Sequence, residues 1–298
     1  MIVEQPSGTQ GIVDAAKTFW AKHGFSVSLL LPAFIYTAFF TIIIVFSLIQ
    51  LSLTDITADA FPTLSNYTTI LRSQDFWDAF TRTLVFVLVG TPLQLIAGFV
   101  LALIINREFS GRGLVRSVFL LPIAIPAIVT AVIAAFMLFN YPFGHVNDLL
   151  LGKLFLPQMV DQPVNWYASP TLALGLALFT KVWRDMPISM LILLAGLQSI
   201  GNDQYEAADT MGASSVQQFS FITIPLMVPA ISTVLILRSI EVWKEFIFPF
   251  IIAPTFPILG VLIDYFYHEQ RNPAKASALA LILLVLIAGF TWLVSVLL

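Results

Sequence analysis

Long stretches of this chain carry no charge. No Asp, Glu, Lys or Arg lies between Lys22 and Asp55, between Arg82 and Arg107, between Arg116 and Asp148, or after Lys275. A helix needs about 20 mostly apolar residues to cross a bilayer, and each of these windows supplies them. Two further segments are apolar but interrupted. Residues 170–197 carry Lys181, Arg184 and Asp185, and residues 222–252 carry Arg238, Glu241, Lys244 and Glu245. The pattern predicts six spans, near 28–52, 82–106, 114–139, 170–197, 222–252 and 276–298. The runs are continuously apolar, whereas a membrane β-barrel alternates polarity in short segments. Unpaired backbone groups are too costly in lipid, which leaves helices. The expected fold is an all-α membrane protein of six transmembrane helices. A tail of residues 1–27 precedes it, and residues 28–298 form the membrane domain.

Composition agrees. Of the 298 residues, 58% are hydrophobic and 10% charged, against about 25% charged in an ordinary soluble domain. Too few charges remain to cover a soluble surface. A net charge of −3 offers a nucleic-acid backbone nothing to hold, so nucleic acid is excluded as a partner and membrane lipid is expected. The first apolar run is longer than a signal-peptide core and lacks a small-residue cleavage site after it, so it reads as a retained helix. The tail from Asp14 to His23, with Trp20, admits two readings, an amphipathic surface helix or an unstructured segment. There is no cysteine, which rules out thiolate chemistry. The isolated His23, His145 and His268 do not make a metal site, and no Gly-x-Ser-x-Gly elbow is present. Pro122 and Pro126 in the third span and Pro187 in the fourth read as kinks.

Charge does not orient the chain. With both ends on one side, five Lys/Arg (Lys17, Lys22, Arg107, Arg112, Arg116) face five (Arg72, Arg82, Lys153, Arg271, Lys275) across the membrane, a tie under the positive-inside rule. The short basic loop 107–116 and the long turn-rich loops 54–81 and 140–169 favour a cytoplasmic amino end.

Between the fourth and fifth spans, residues 201–225 break the apolar pattern with charge and turn residues. Asn202 or Asp203 is placed to cap a short helix through 204–211, and Gly212 to end it in a left-handed turn. Ser214 or Ser215 can cap a second short helix, which Pro225 limits or feeds into the fifth span. The result is a knob projecting from the membrane, with Tyr205, Met211 and Phe219 offering apolar contacts. An ordinary interfacial loop is the plainer alternative.

The same segment contains Glu206-Ala207-Ala208, then Gly212, Ile222, Ile224 and Pro225. This resembles the Glu-Ala-Ala coupling motif of permease subunits of binding-protein-dependent ABC importers, with Ile224 for the usual Leu and Met211 for the usual Asp. Ser52-Leu53-Thr54-Asp55, Asn66-Tyr67, Gly111-Arg112-Gly113-Leu114-Val115-Arg116, Gly144 with Asn147, and Ala195-Gly196-Leu197-Gln198-Ser199-Ile200 are similar to the carbohydrate-uptake branch. Trp243-Lys244-Glu245-Phe246 with Pro249 resembles a Trp-Asn-Glu-Phe pattern, and Ala253-Pro254-Thr255 stands where that branch often has Gly-Gly-Pro.

The resemblance implies a translocation subunit of the bacterial-type inner membrane with both termini cytoplasmic, and not an enzyme. It implies two ATP-binding subunits, a second related permease subunit and an extracytoplasmic solute-binding protein. The chain itself has no Gly-x-x-x-x-Gly-Lys-Ser/Thr run to cradle phosphates, so ATP and Mg would be bound by the partners and no cofactor by this chain. Glu206 would meet a basic residue of an ATPase, and Gly212 would allow the turn. The ionisable residues within the spans, costly there unless they face protein or water, have two readings. Arg184, Asp185, Arg238, Glu241, Lys244 and Glu245 either pair between helices or line a polar path for a hydroxyl-rich solute, where Trp183 and Trp243 would stack on a sugar ring. Positions 238, 241 and 245 share a helical face by spacing. A rival class is an ion-coupled secondary transporter using Asp185, Glu241 and Glu245.

Overall fold

The computed structural model describes the backbone of residues 8–56 and 58–297, with side chains from residue 25 onward, Ser26 and Thr57 excepted. Helix follows helix, and among the described residues the sole β-pairing is a bridge between Asp55 and Ala60. Helix α1 (Gly8–Ser52) contains the first span and takes in the tail from residue 8 onward. Residues 8–23 are therefore helical rather than unstructured. The side chains of Asp14–His23, on which the amphipathic reading rests, lie outside the described residues. Helix α2 (Ser65–Arg72) is followed at once by α3 (Gln74–Asn106). The second span thus starts earlier than its apolar window, because Ser73 caps it by accepting from the Phe76 N–H at 3.3 Å.

The third span is two helices. Helix α4 (Arg112–Ala124) and α5 (Ala127–Leu138) meet at a 90° bend. The cause is Pro126, which has no N–H to donate and disfavours helical geometry at the residue before it. Ile125 is accordingly extended, at φ −82° and ψ 130°. Helix α4 continues through Pro122, and α7 (Pro170–Gln198) continues through Pro187, so those two prolines do not interrupt their helices. A short α6 (His145–Leu150) lies between α5 and α7.

After α8 (Asn202–Thr210), helix α9 (Ser215–Trp243) passes through one π turn at Phe219–Thr223. It stops at Trp243, short of the expected 252. Lys244 leaves helical geometry there, at φ −92° and ψ 14°, and Pro249 further on has no N–H to donate to the Glu245 carbonyl of a continued helix. The chain restarts as α10 (Ile247–Ile252), turns, and forms α11 (Leu259–Asp264) and a π turn, Tyr265–Glu269, before the last helix, α12 (Pro273–Leu297).

Among the described residues four helices are long and apolar enough to cross a membrane: Val27–Ser52 within α1, α3, α9 and α12. Counting the bent α4–α5 pair as one span makes five. Helix α7 has 29 residues, with Lys181, Arg184 and Asp185 inside it.

Helices α3, α7 and α9 pack together at the centre. Gly98 allows a close approach of α3 to α7: a methyl there would lie 2.5 Å from Ser189 Cβ. Two apolar clusters form. One gathers Phe86, Ala177, Val242, Trp243, Phe248, Phe266 and Leu279. The other gathers Ala102, Ile105, Met190, Leu194, Met227 and Val234. Between them in sequence, on the same three helices, fall the buried polar residues Gln94, Lys181, Asp185, Ser189, Arg238 and Ser239. The bundle thus carries a polar layer between two apolar ones.

Candidate functional site

The knob forms from residues 201–218. Gly201, and not Asn202 or Asp203, is the N-cap of α8, and no side chain caps it. Asp203 lies in the first turn, where its charge complements the free N–H groups. The left-handed turn is at Gly212, φ +76°. Ser214 then caps the next helix in a reciprocal box with Gln217: Ser214 Oγ accepts from the Gln217 N–H at 3.4 Å, and Gln217 Oε1 accepts from the Ser214 N–H at 2.8 Å. That helix does not end at Pro225. It feeds straight into the fifth span, so the knob is one short helix and the projecting start of α9.

The three apolar candidates of the knob separate. Tyr205 bonds through its hydroxyl to Thr223 Oγ1 at 2.9 Å, and Phe219 packs on Phe99 of α3, centroids 6.0 Å apart. Both fasten the knob to the bundle. Met211 is 87% exposed, with Val216 and Phe221 also open. Ala208 is buried beneath the knob, Ala207 is on its surface, and Glu206 is exposed, with no hydrogen bond or ion pair to any described residue. The knob therefore exposes an unpaired carboxylate and several apolar side chains.

The charged residues of the fourth and fifth spans form two groups. Lys181 Nζ sits 2.8 Å from Asp185 and 2.6 Å from Glu245, all with side chains less than a tenth exposed. Arg184 pairs with Asp185 at 2.6 Å and donates through Nε to the Ile125 carbonyl at 3.2 Å. Glu245 accepts the N–H groups of Phe246 and Phe248. Separately, Arg238 pairs with Glu241 at 2.7 Å on α9. Glu245 lies past the end of that helix and joins α7 instead, so the shared face of 238, 241 and 245 is not realised. Lys244 is exposed. Trp243 is 2% exposed and packed against Phe290, which removes it as a sugar platform. Trp183 is open and lines an apolar cavity of about 400 Å³ with Phe179, Ile133 and Phe139.

Lys181 is the residue that sequence reading passed over. Its spacing of four from Asp185 was the available signal. Gln94, fully buried on α3 with neither amide atom partnered in the protein, gave no signal in a charge-free window. A larger cavity, about 670 Å³, opens between the start of α3 and α10–α11, lined by Asp75, Asp78, Arg82, Asp264, His268 and Glu269 among others. Tyr167, beside the start of α7, donates to the Ala135 carbonyl at 2.7 Å, and burial pushes its phenol above the usual value. Among the described residues no group of His, Cys, Asp or Glu is arranged to hold a metal ion.

Residues 94–297 match the family described as binding-protein-dependent transport system inner membrane component. The chain is 34% identical over 234 residues to the trehalose/maltose transport system permease protein MalF of Thermococcus litoralis, covering 76% of each. It is 32% identical to the sulfoquinovosyl glycerol transport system permease protein SmoG of Agrobacterium fabrum, covering 85% of this chain and 78% of that one. In fold it is similar to a chain of a bacterial ABC transporter involved in importing the acidic polysaccharide alginate. There the TM-score is 0.79 at 20% identity, over 95% of this chain and 98% of that one.

Proposed function

Because the chain belongs to the binding-protein-dependent transport system inner membrane components, a family of multi-pass permease subunits of ABC importers, we propose that its own cargo is a sugar or sugar-like solute. The named substrates of its relatives, trehalose/maltose and sulfoquinovosyl glycerol, support that class. So does the alginate transporter of the same fold. The chain works with a second permease subunit, two ATP-binding subunits that hold ATP and Mg, and an extracytoplasmic solute-binding protein. A related structure is of a transporter bound to its alginate-loaded periplasmic protein. Six spans follow if α7 crosses the membrane, with both termini and the knob in the cytoplasm.

The observation that carries the coupling role is the knob's outward face: Glu206 unpaired and exposed, Met211 almost fully exposed, and Gly212 holding a left-handed turn. Such a face fits a cleft with a basic residue at its base. Closure of the ATPase pair would push α8, and through the unbroken α9 the push would reach the centre of the bundle, giving alternating access. The ion-coupled alternative has less support. Asp185, Glu241 and Glu245 are each paired with a Lys or Arg, and the family of the chain is one of ABC importer subunits.

The test is Glu206→Ala and Gly212→Val in the assembled complex. Loss of a charged partner across a partly buried contact costs about 2–5 kcal/mol, and a β-branched side chain strains a positive φ. Uptake should fall to background while the solute-binding protein keeps its affinity. Normal uptake with normal solute-stimulated ATP hydrolysis in both variants would remove the knob as the coupling element.

A further inference from the structure

Two spans of this bundle are broken, and each break frees carbonyls at the end of one helix and N–H groups at the start of the next. At the α4–α5 bend, Ile125 is extended and its carbonyl stands outside the helical ladder of α4. At the α9–α10 break, the first N–H groups of α10 lack helical acceptors. In an apolar interior such groups need partners. Arg184 serves the Ile125 carbonyl, and Glu245 serves the Phe246 and Phe248 N–H groups at 3.0 and 3.3 Å. These two side chains are joined through α7: Arg184 to Asp185 at 2.6 Å, Asp185 to Lys181 at 2.8 Å, and Lys181 to Glu245 at 2.6 Å. The chain of contacts runs unbroken from one break to the other. Its two cations and two carboxylates sum to zero charge. Lys181 Nζ also lies 5.9 Å from the Phe248 ring centroid, against α10.

We propose that Lys181 is a positioning residue for transport: with Arg184 and Asp185 it ties the two helix breaks to one turn of α7, so that both keep a fixed spacing while the bundle changes shape. The solute need not touch it. The three innermost side chains line none of the cavities described above, and Lys181 is 3% exposed. A purely stabilising pair would have required one break at most. What distinguishes this cluster is that the cation at one end meets a freed carbonyl, the carboxylate at the other meets freed amides, and Lys181 closes the link. The uptake readout rests on the importer reading above, whereas the distance readout needs only that ATP binding to the assembled complex changes the bundle.

Two measurements test it. The chain has no cysteine of its own, so spin labels can be placed at Val129 on α5 and Phe250 on α10, both more than 40% exposed. In the assembled complex the distance between them should be the same in the nucleotide-free and ATP-trapped states. A change of several ångströms between states overturns the proposal, whatever any mutant does. The second uses Lys181→Met with Glu245→Gln, which removes one charge of each sign and leaves the Arg184–Asp185 pair neutral. The expected result is assembly with both ATPase subunits, a broadened label distance, and solute-stimulated ATP hydrolysis retained. Uptake per ATP should fall about tenfold, the size of an ordinary coupling effect, and Lys181→Arg should keep most of it. Narrow distances with wild-type uptake in the double variant would show that the cluster does not set the spacing. If the double variant fails to assemble, the otherwise native labelled chain decides alone. Uptake independent of the ATPase in the unmutated complex would instead sink the importer reading, and the label distance would then be compared between solute-free and solute-saturated protein.

Discussion

Gly98 and Asn147 show how single residues set this structure. Gly98 lets α3 lie against the Ser189–Met190 backbone of α7. Gly98→Val would force the helices apart, and overpacking of this kind costs about 1–3 kcal/mol, so the purified complex should melt at a lower temperature. An unchanged melting temperature would mean that the approach is looser than described. Asn147 is fully buried and bonds both the carbonyl and the N–H of Val164, pinning the far end of the loop before α7. Asn66 does the same nearer the amino end, donating to the carbonyls of Ser52 and Thr54. Both residues belong to the family-like segments, and in both cases the structure gives them loop-closing work. Their type and place were legible in the sequence, but their partners were not, because the partners are backbone groups 12–17 residues away.

At the scale of elements, charge-free windows located helices well and helix ends poorly. A hydropathy window records where lipid would accept a helix, whereas an end is set by one capping or breaking residue. Ser73 starts α3 before its window, and Lys244 leaves α9 before its window closes. Among the prolines flagged as kinks, only Pro126 stands at an interruption, since Pro122 and Pro187 sit within continuous helix. Gly212 and Ser214 were legible because turn and cap chemistry is local. Ser214→Ala removes one half of the capping box and should cost about 1 kcal/mol of local helix stability. Amide exchange at Val216–Gln218 should speed up while exchange in the middle of α9 stays unchanged. Uniform acceleration along α9 would mean that the knob and the span unfold as one unit. The charged residues were legible as a set and misassigned in their pairings. Spacing placed Glu245 with Arg238 and Glu241, but the break at Lys244 turned it towards α7.

For the whole molecule the architecture turns on α7, because among the described residues four helices, or five spans with the bent pair, meet the length and composition of a crossing without it. Its three charges would cost at least about 2.5–3.5 kcal/mol each on insertion scales if they faced lipid. They do not face it. Lys181 and Asp185 are buried, and each charge of the turn has an oppositely charged partner within 2.8 Å. A helix of 29 residues rises about 43 Å, enough to span the hydrocarbon core. Crossing by α7, with the bent α4–α5 pair also a span, sets the relative sides of three exposed loops. Phe155 precedes it, Ser214 follows it, and Glu108 lies in the short loop between α3 and α4. Single cysteines at these positions, treated in intact cells with a membrane-impermeant maleimide, should give labelling at 155 alone. Positions 108 and 214 should react only after the membrane is opened. Like behaviour at 155 and 214 would show that α7 enters and leaves on one side, and the six-span architecture would fall. Labelling of 108 and 214 but not 155 in intact cells would keep six spans and invert them, placing the knob on the side without ATP and removing the physical basis for coupling through Glu206.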